Sequence, residues 1–321
     1  MPQSLLKTAK IENVLVRVPR RVGYAWQYKE WDDMTQSFSA DGALAASDSA
    51  ARRRVLVTGA AGRIGSYVAQ HAPERYDLRL MVREGDDPEP IRSYGEVVTG
   101  DLGDLSRMKE LCQGMDTVLH LAGDPDPNAT WGSLLDTNIV GTYHAFVAAR
   151  AAGCRRVVYA SSIHAVSGYP PDVQVKTSEP VNPGDLYGVS KCFGEALGRY
   201  MAEQEGLSVI ALRIGGFQPL EAARGEEGVA LLDAFVSQRD LHQLIVRCID
   251  AEGIRFAILH GLSDNRFKRL DISDARALIG YAPQDDLTAE NPRLRDLDLA
   301  GTVRGHNLSS DGQQSGLRDE A

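Results

Sequence analysis

The chain has 321 residues, 43% of them hydrophobic and 25% charged, enough for one large domain or a main domain with a small annex. A formal net charge of −9 and a pI near 5.3 argue against nucleic acid or an anionic membrane as the principal partner and leave a small soluble substrate. No apolar run reaches transmembrane length, no basic-then-apolar signal opens the chain, and Cys112, Cys154, Cys192 and Cys248 show no CxxC or metal spacing, so a cytoplasmic protein with reduced thiols and no metal is expected. A homo-oligomer is compatible with all of this.

Residues 1–52 read as a poorly ordered N-terminal extension. Ile11, Val14, Val16 and Val18 alternate weakly, as in an edge strand, and Trp26, Tyr28 and Trp31 offer packing surface. Residues 35–51 have a linker composition, and Met34 is a second candidate start of translation. From Arg53 onward strands and helices alternate, which predicts an α/β doubly wound parallel-sheet Rossmann fold. Strands are expected over 54–58, 78–82, 96–99, 117–121, 156–160, 208–214 and 255–260. Helices are expected over 63–72, 104–113, 131–152, 186–205, 230–250 and 272–279. Gly153, Gly206, Gly253 and Gly280 stand where helices should end, as C-cap glycines do. The predicted organisation is an NAD(P)-binding domain over 53–214, a small substrate-binding annex over 215–292 with one returning strand, and a disordered tail over 293–321.

The stretch Val55-Leu56-Val57-Thr58-Gly59-Ala60-Ala61-Gly62-Arg63-Ile64-Gly65 has the pattern of a strand, a tight turn and a helix N-terminus. Gly59 turns the chain off the strand, Gly62 lets backbone approach a pyrophosphate, and Gly65 lets the helix pack closely on the strand. Free N–H groups at the start of the helix, from Arg63 and Ile64, then face the phosphates. The end of the second strand reads Leu80-Met81-Val82-Arg83-Glu84, without the acid that commonly holds the adenosine ribose. Arg83, with Arg63 from the glycine turn, suits a 2′-phosphate bidentately, so NADP is expected over NAD. Two solvated arginines with Glu84 on the ribose form the alternative. Asp101 and Leu102 end the third strand, where the aspartate can accept from the adenine amino group or serve only as a turn residue. Leu121, Ala122 and Gly123 end the fourth, and their small size lets ribose and nicotinamide lie against backbone.

Catalytic chemistry is expected from Tyr187 and Lys191, four apart and therefore on one helix face. An ammonium near a phenol stabilises the phenolate and brings the tyrosine towards neutrality. Such a tyrosine can exchange a proton with a substrate hydroxyl while hydride passes to a nicotinamide. Upstream, Val157-Val158-Tyr159-Ala160-Ser161-Ser162 is a buried-strand pattern ending in serines, so Ser162 can hold the reacting oxygen against Tyr187.

Taken in order, the glycine turn, Asp101-Leu102, His120-Leu121-Ala122-Gly123, Asn138 within Thr137-Asn138-Ile139-Val140-Gly141-Thr142, the serine pair and Tyr187-xxx-Lys191 resemble the extended short-chain dehydrogenase/reductases. These are also called the NAD-dependent epimerase/dehydratase family. The resemblance spans roughly residues 53 to 292. It implies Tyr187 as acid/base, Lys191 as its pKa tuner and nicotinamide-ribose ligand, and Ser162 as substrate orienter. Asn138 would support the helix geometry and a proton-relay water, or alternatively be a buried polar residue satisfying backbone. Within the family the chain is most similar to the uronate dehydrogenases, through Ser161-Ser162-Ile163-His164, the segment 186–195 and Arg213-Ile214-Gly215. That likeness implies His164 as a substrate ligand.

Several positions depart from the uronate pattern. Ile163 replaces an asparagine, Gly216 replaces a serine, and Asp124-Pro125-Asp126-Pro127 stands where a carboxylate-binding serine is expected. Arg224 is the candidate for the carboxylate-binding arginine. The expected activity is therefore an NAD(P)-dependent oxidoreductase acting on a sugar or sugar-acid hydroxyl. Two alternatives remain: a nucleotide-sugar epimerase, which needs a larger C-terminal region than this chain offers, and a non-catalytic dinucleotide sensor, which has no need of the tyrosine–lysine pair.

Overall fold

The computed structural model describes residues 52–296. The readings made for the extension, including the weak strand at 11–18 and the aromatic residues near 26–31, lie outside the described residues, as does the expected tail from residue 297 on; its first residues, 293–295, belong to a short helix instead. Seven strands form one parallel sheet: β1 (Arg53–Thr58), β2 (Tyr76–Val82), β3 (Glu96–Thr99), β4 (Thr117–His120), β5 (Arg156–Ser162), β6 (Ser208–Ile214) and β9 (Phe256–Gly261). Their spatial order is β3-β2-β1-β4-β5-β6-β9, so strand order reverses between β1 and β4, the crevice where such sheets bind ligands. A two-stranded parallel pair, β7 (Gly216–Gln218) and β8 (Phe235–Ser237), lies outside this sheet.

Helices α1 (Arg63–His71), α2 (Leu105–Cys112), α3 (Trp131–Ser133), α4 (Gly141–Ala151) and α5 (Leu186–Glu203) connect the first six strands. Alternate strand residues feed two cores, one on each face of the sheet. Val55 and Val57 join Leu80, Leu119 and Ile210 on one face, where α7 (Gln238–Asp250) contributes Leu241, Leu244 and Ile245. Leu56 and Met81 join Met108, Phe146 and Tyr159 on the other. Strands buried on both faces, such as β4 and β5, read as continuous apolar runs, whereas the edge strand β3 is only partly buried. The four expected C-cap glycines all have positive φ.

Two helix expectations need correction. The span 131–152 is helical throughout, but Leu134–Val140 is wound as a π-helix between α3 and α4. The span 230–250 is α-helical only from Gln238, after a 3-10 turn that ends at Leu231. Phe235–Ser237 is the strand β8, and the Ser237 side chain caps α7 by accepting from the Asp240 N–H. The run Leu231, Leu232, Phe235 continues the apolar spacing of α7, but those residues cluster with Leu287 and with Ala223 of the short helix α6 (Glu221–Arg224) instead. Residues after 214 thus divide between the main sheet (α7, β9) and a small cluster around Ala223, Phe235 and Leu287. The remaining helices are α8 (Ser273–Ile279), α9 (Leu287–Glu290) and α10 (Pro292–Arg295). No described helix is long and apolar enough to cross a membrane.

Candidate active site

A cavity of about 1110 Å³ runs from the glycine turn past the ends of β2, β4 and β5 to the loops after β6 and β9. Gly59, Gly62, Arg63, Ile64, Gly65, Arg83, Asp101, Leu102, Leu121, Ala122, Gly123, Ser162, His164, Tyr187 and Lys191 all line it. Its size suits a dinucleotide with a small second ligand, since drug-sized molecules occupy ~300–1,000 Å³.

The dinucleotide end is built for close backbone approach. Gly59 has φ +68°, and a Cβ there would lie 2.9 Å from the Ala122 backbone. Gly62 caps α1 without any side-chain hydrogen bond, so the first N–H groups of the helix are left for an anion. Behind the turn, the Leu121 and Ala122 N–H groups both donate to Thr58 Oγ1 at 3.2 Å. The Thr58 hydroxyl is then left to donate to His120 Nδ1 at 2.9 Å, which puts the ring proton on Nε2, 3.3 Å from Thr142 Oγ1. Burial first, and then Lys191, push His120 down to about 3; the imidazole is a neutral strut under the turn.

At the adenosine end the arginine pair does not form as expected. Arg63 donates to the Phe217 carbonyl at 2.8 Å and to Gln218 Oε1 at 2.9 Å, which ties the glycine turn to β7. Arg83 is 76% exposed and 3.6 Å from Asp86. Asp86, rather than Glu84, is the acid that lines the cavity, its carboxylate held by the Arg83 N–H at 2.8 Å. Asp101 Oδ1 accepts from the Gly103 N–H at 2.7 Å, a turn role that leaves Oδ2 without a protein partner among the described residues.

At the catalytic end Asp185 caps α5, accepting from the Gly188 N–H at 2.7 Å. Its other oxygen holds His164 Nδ1 at 2.6 Å. The His164 ring then meets Tyr187 edge-on, with centroids 5.3 Å apart. Lys191 Nζ donates to the Ala160 carbonyl at 3.0 Å and sits 5.4 Å from the Tyr187 ring centroid. Burial lowers Lys191 to about 8. It also raises the Tyr187 phenol, which a hydrogen bond with Ser162 partly offsets while Asp185 and Asp124 push it further up. The expectation that the ammonium lowers this phenol's pKa towards neutral is therefore corrected: burial dominates, and Asp185 and Asp124 add to it. Asn138, in the π-helical stretch, spans two elements. Its Oδ1 accepts from the Asp124 N–H at 2.8 Å, and its Nδ2 donates to the Asp124 carbonyl and Ser190 Oγ, both at 3.0 Å. Ser190 in turn donates to the Tyr187 carbonyl at 2.7 Å. The amide thus locks the β4 loop to the first turn of α5 and has no hydrogen left for a relay water.

Arg224 does not reach the cavity. It is paired with Glu290 at 2.9 Å, with its side chain 55% exposed. The arginine that does line the substrate end is Arg269, beside Asp233; neither was singled out from the sequence, because β8 and the turn after β9 bring them there over long separations. Asp185 and Asp86 were missed as well, although a helix-capping aspartate two residues before Tyr187 is a readable signal.

Residues 55–217 match the model of the NAD dependent epimerase/dehydratase family. The chain belongs to that family. As an NAD-dependent epimerase/dehydratase family member it is 38% identical to an NAD-dependent glucose-6-phosphate dehydrogenase of Haloferax volcanii, over 72% of this chain and 93% of that one. An L-arabinose 1-dehydrogenase (NAD(P)(+)) of the same organism is 34% identical, over 73% and 97%. Among solved structures, a variant uronate dehydrogenase from Agrobacterium tumefaciens complexed with NAD superposes with a TM-score of 0.67 at 29% identity, over 81% of this chain and 93% of that one.

Proposed function

We propose that this protein is an NAD(P)-dependent dehydrogenase that transfers hydride between the nicotinamide and a hydroxyl-bearing carbon of a sugar or sugar acid. The observation that carries the reading is the convergence of Ser162, Tyr187 and Lys191 on one cavity that begins at the glycine turn. The named relatives support sugar dehydrogenation over epimerisation. When bound, the nicotinamide supplies the hydride acceptor. The chain's own groups supply orientation and proton transfer: Ser162 holds the reacting hydroxyl, and Tyr187 accepts its proton as the carbonyl forms. The Lys191 ammonium, fixed by the Ala160 carbonyl, stabilises the phenolate that accepts this proton, and Tyr187 ends the step as the neutral phenol. Burial raises the Tyr187 phenol, so the phenolate forms more readily as pH rises and sugar oxidation should gain with it.

The end of β2 supports a preference for NADP over NAD, now carried by Arg83. Exposed ion pairs are worth ~0.2–1 kcal/mol, a preference of at most about fivefold, and Asp86 opposes it. Arg83→Ala should therefore raise the KM for NADP several-fold and leave that for NAD nearly unchanged. Incubation of the protein with each oxidised cofactor and a panel of aldoses, uronates, aldose phosphates and nucleotide sugars tests the whole reading. The expected result is saturable appearance of reduced nicotinamide with a free sugar. Interconversion of nucleotide sugars without net reduction would refute it.

A further inference from the structure

The substrate end of the cavity carries an ion pair that the proton-transfer chemistry does not use. Arg269, in the turn after β9, has only 10% of its side chain exposed. Its Nη1 donates to the Tyr169 carbonyl at 2.9 Å and to the Pro170 carbonyl at 3.3 Å. Its Nε is buried without a hydrogen-bond partner and lies 3.7 Å from Asp233 Oδ2. Its Nη2 has no protein partner among the described residues. Asp233 is 47% exposed, lines the same cavity, and receives no hydrogen bond on its carboxylate from any described residue.

The other charged groups at this end are already matched or add negative charge. His164 is paired with Asp185, and Lys191 is held by the Ala160 carbonyl. Asp124 takes the Ser133 hydroxyl and the Asp126 N–H. Arg224 points elsewhere, to Glu290. A substrate carboxylate or phosphate at this end would meet Asp124 and Asp233, and would have to displace Asp233 from the guanidinium. A sugar hydroxyl meets no such barrier, because it donates and accepts at once.

We propose that Asp233 and Arg269 form a specificity clamp for a neutral aldose, with the Asp233 carboxylate accepting from a ring hydroxyl and Arg269 Nη2 donating to that oxygen or its neighbour. The clamp rests on the sugar-dehydrogenase reading and narrows its substrate class against uronates and sugar phosphates. Binding of an uncharged polyol to a preset ion pair leaves the pair's neutrality intact, whereas an anion unbalances it.

The test compares glucose, glucuronate and glucose 6-phosphate, and the galactose counterparts, by steady-state kinetics and by calorimetric binding to the cofactor-loaded protein. Wild type should favour the neutral member of each set in kcat/KM. Asp233→Asn, with folding checked by its thermal unfolding, should raise KM for the neutral sugar by about tenfold, the loss of one hydrogen bond to a charged group. Its kcat should change little, and the relative use of the anionic sugars should improve. Turnover that favours glucuronate or the phosphate in wild type, or an unchanged preference in Asp233→Asn, overturns the clamp while leaving the dehydrogenase reading in place. Absence of turnover on every sugar overturns the dehydrogenase reading; the clamp then stands only if calorimetry shows neutral-sugar binding that Asp233→Asn weakens, and falls if it shows none.

Discussion

Lys191 is a base held at a cost to the fold, and that cost can be measured. Its side chain is buried, with Nζ on the Ala160 carbonyl at 3.0 Å and two aromatic faces, Tyr159 and Tyr187, 5.5 and 5.4 Å away. Burial lowers it from 10.5 to about 8. Below pH 8 the native and unfolded states both carry the proton, so the penalty is fully present and constant. Between pH 8 and 10.5 the native state loses the proton while the unfolded chain keeps it, and stability rises with pH. At about 1.4 kcal/mol per pH unit, the gain across that window is about 3 kcal/mol. Lys191→Met has no such titration. The unfolding free energy of wild type minus that of the variant, from urea curves at stepped pH, should therefore climb by about 3 kcal/mol between pH 8 and 10.5 and be flat outside it. Other alkaline titrations cancel in the difference. A difference that stays flat through that window would refute the buried ammonium and the phenolate stabilisation assigned to it.

Glu195→Gln should be among the most destabilising single changes, because it leaves the buried Arg213 guanidinium, 2.8 Å away with 1% exposure, uncompensated and weakens the Ser161 hydrogen bond. A loss of about 3–5 kcal/mol would appear as a lower denaturant midpoint at unchanged slope. Arg224→Ala should leave the substrate KM unchanged and cost less than about 1 kcal/mol, the usual worth of an exposed pair; a several-fold rise in KM would return this arginine to the site.

Much of the nucleotide-binding half was legible because its chemistry is local. The glycine turn and Leu121-Ala122-Gly123 each sit at the end of a strand whose burial shows as an apolar run, while Asp101-Leu102 follows the short, partly exposed edge strand β3. Helical spacing put Tyr187 and Lys191 on one face, and the upstream Ser161-Ser162 pair gave that spacing its weight. The π-helical winding around Asn138 was not, because its register is set by the amide's bonds to Asp124 and Ser190, which lie on other elements. The direction of the Tyr187 shift was misjudged for a related reason: spacing shows that an ammonium is near, but only packing shows how dry the phenol is. Arg63 and Arg224 illustrate the same limit. Each carries the charge expected of it, but Phe217, Gln218 and Glu290, remote in sequence, determine where that charge points.

Proton transfer by Tyr187 is the central claim, and Tyr187→Phe tests it most directly. The change removes the hydroxyl and keeps the ring that packs against His164, so folding and cofactor affinity should be preserved. On whichever sugar the wild type oxidises, kcat should fall by about 10²-fold or more, the usual contribution of a general acid–base group. Cofactor binding followed by calorimetry should be unchanged within about twofold. Wild-type turnover by a folded, cofactor-binding Tyr187→Phe protein would contradict the account.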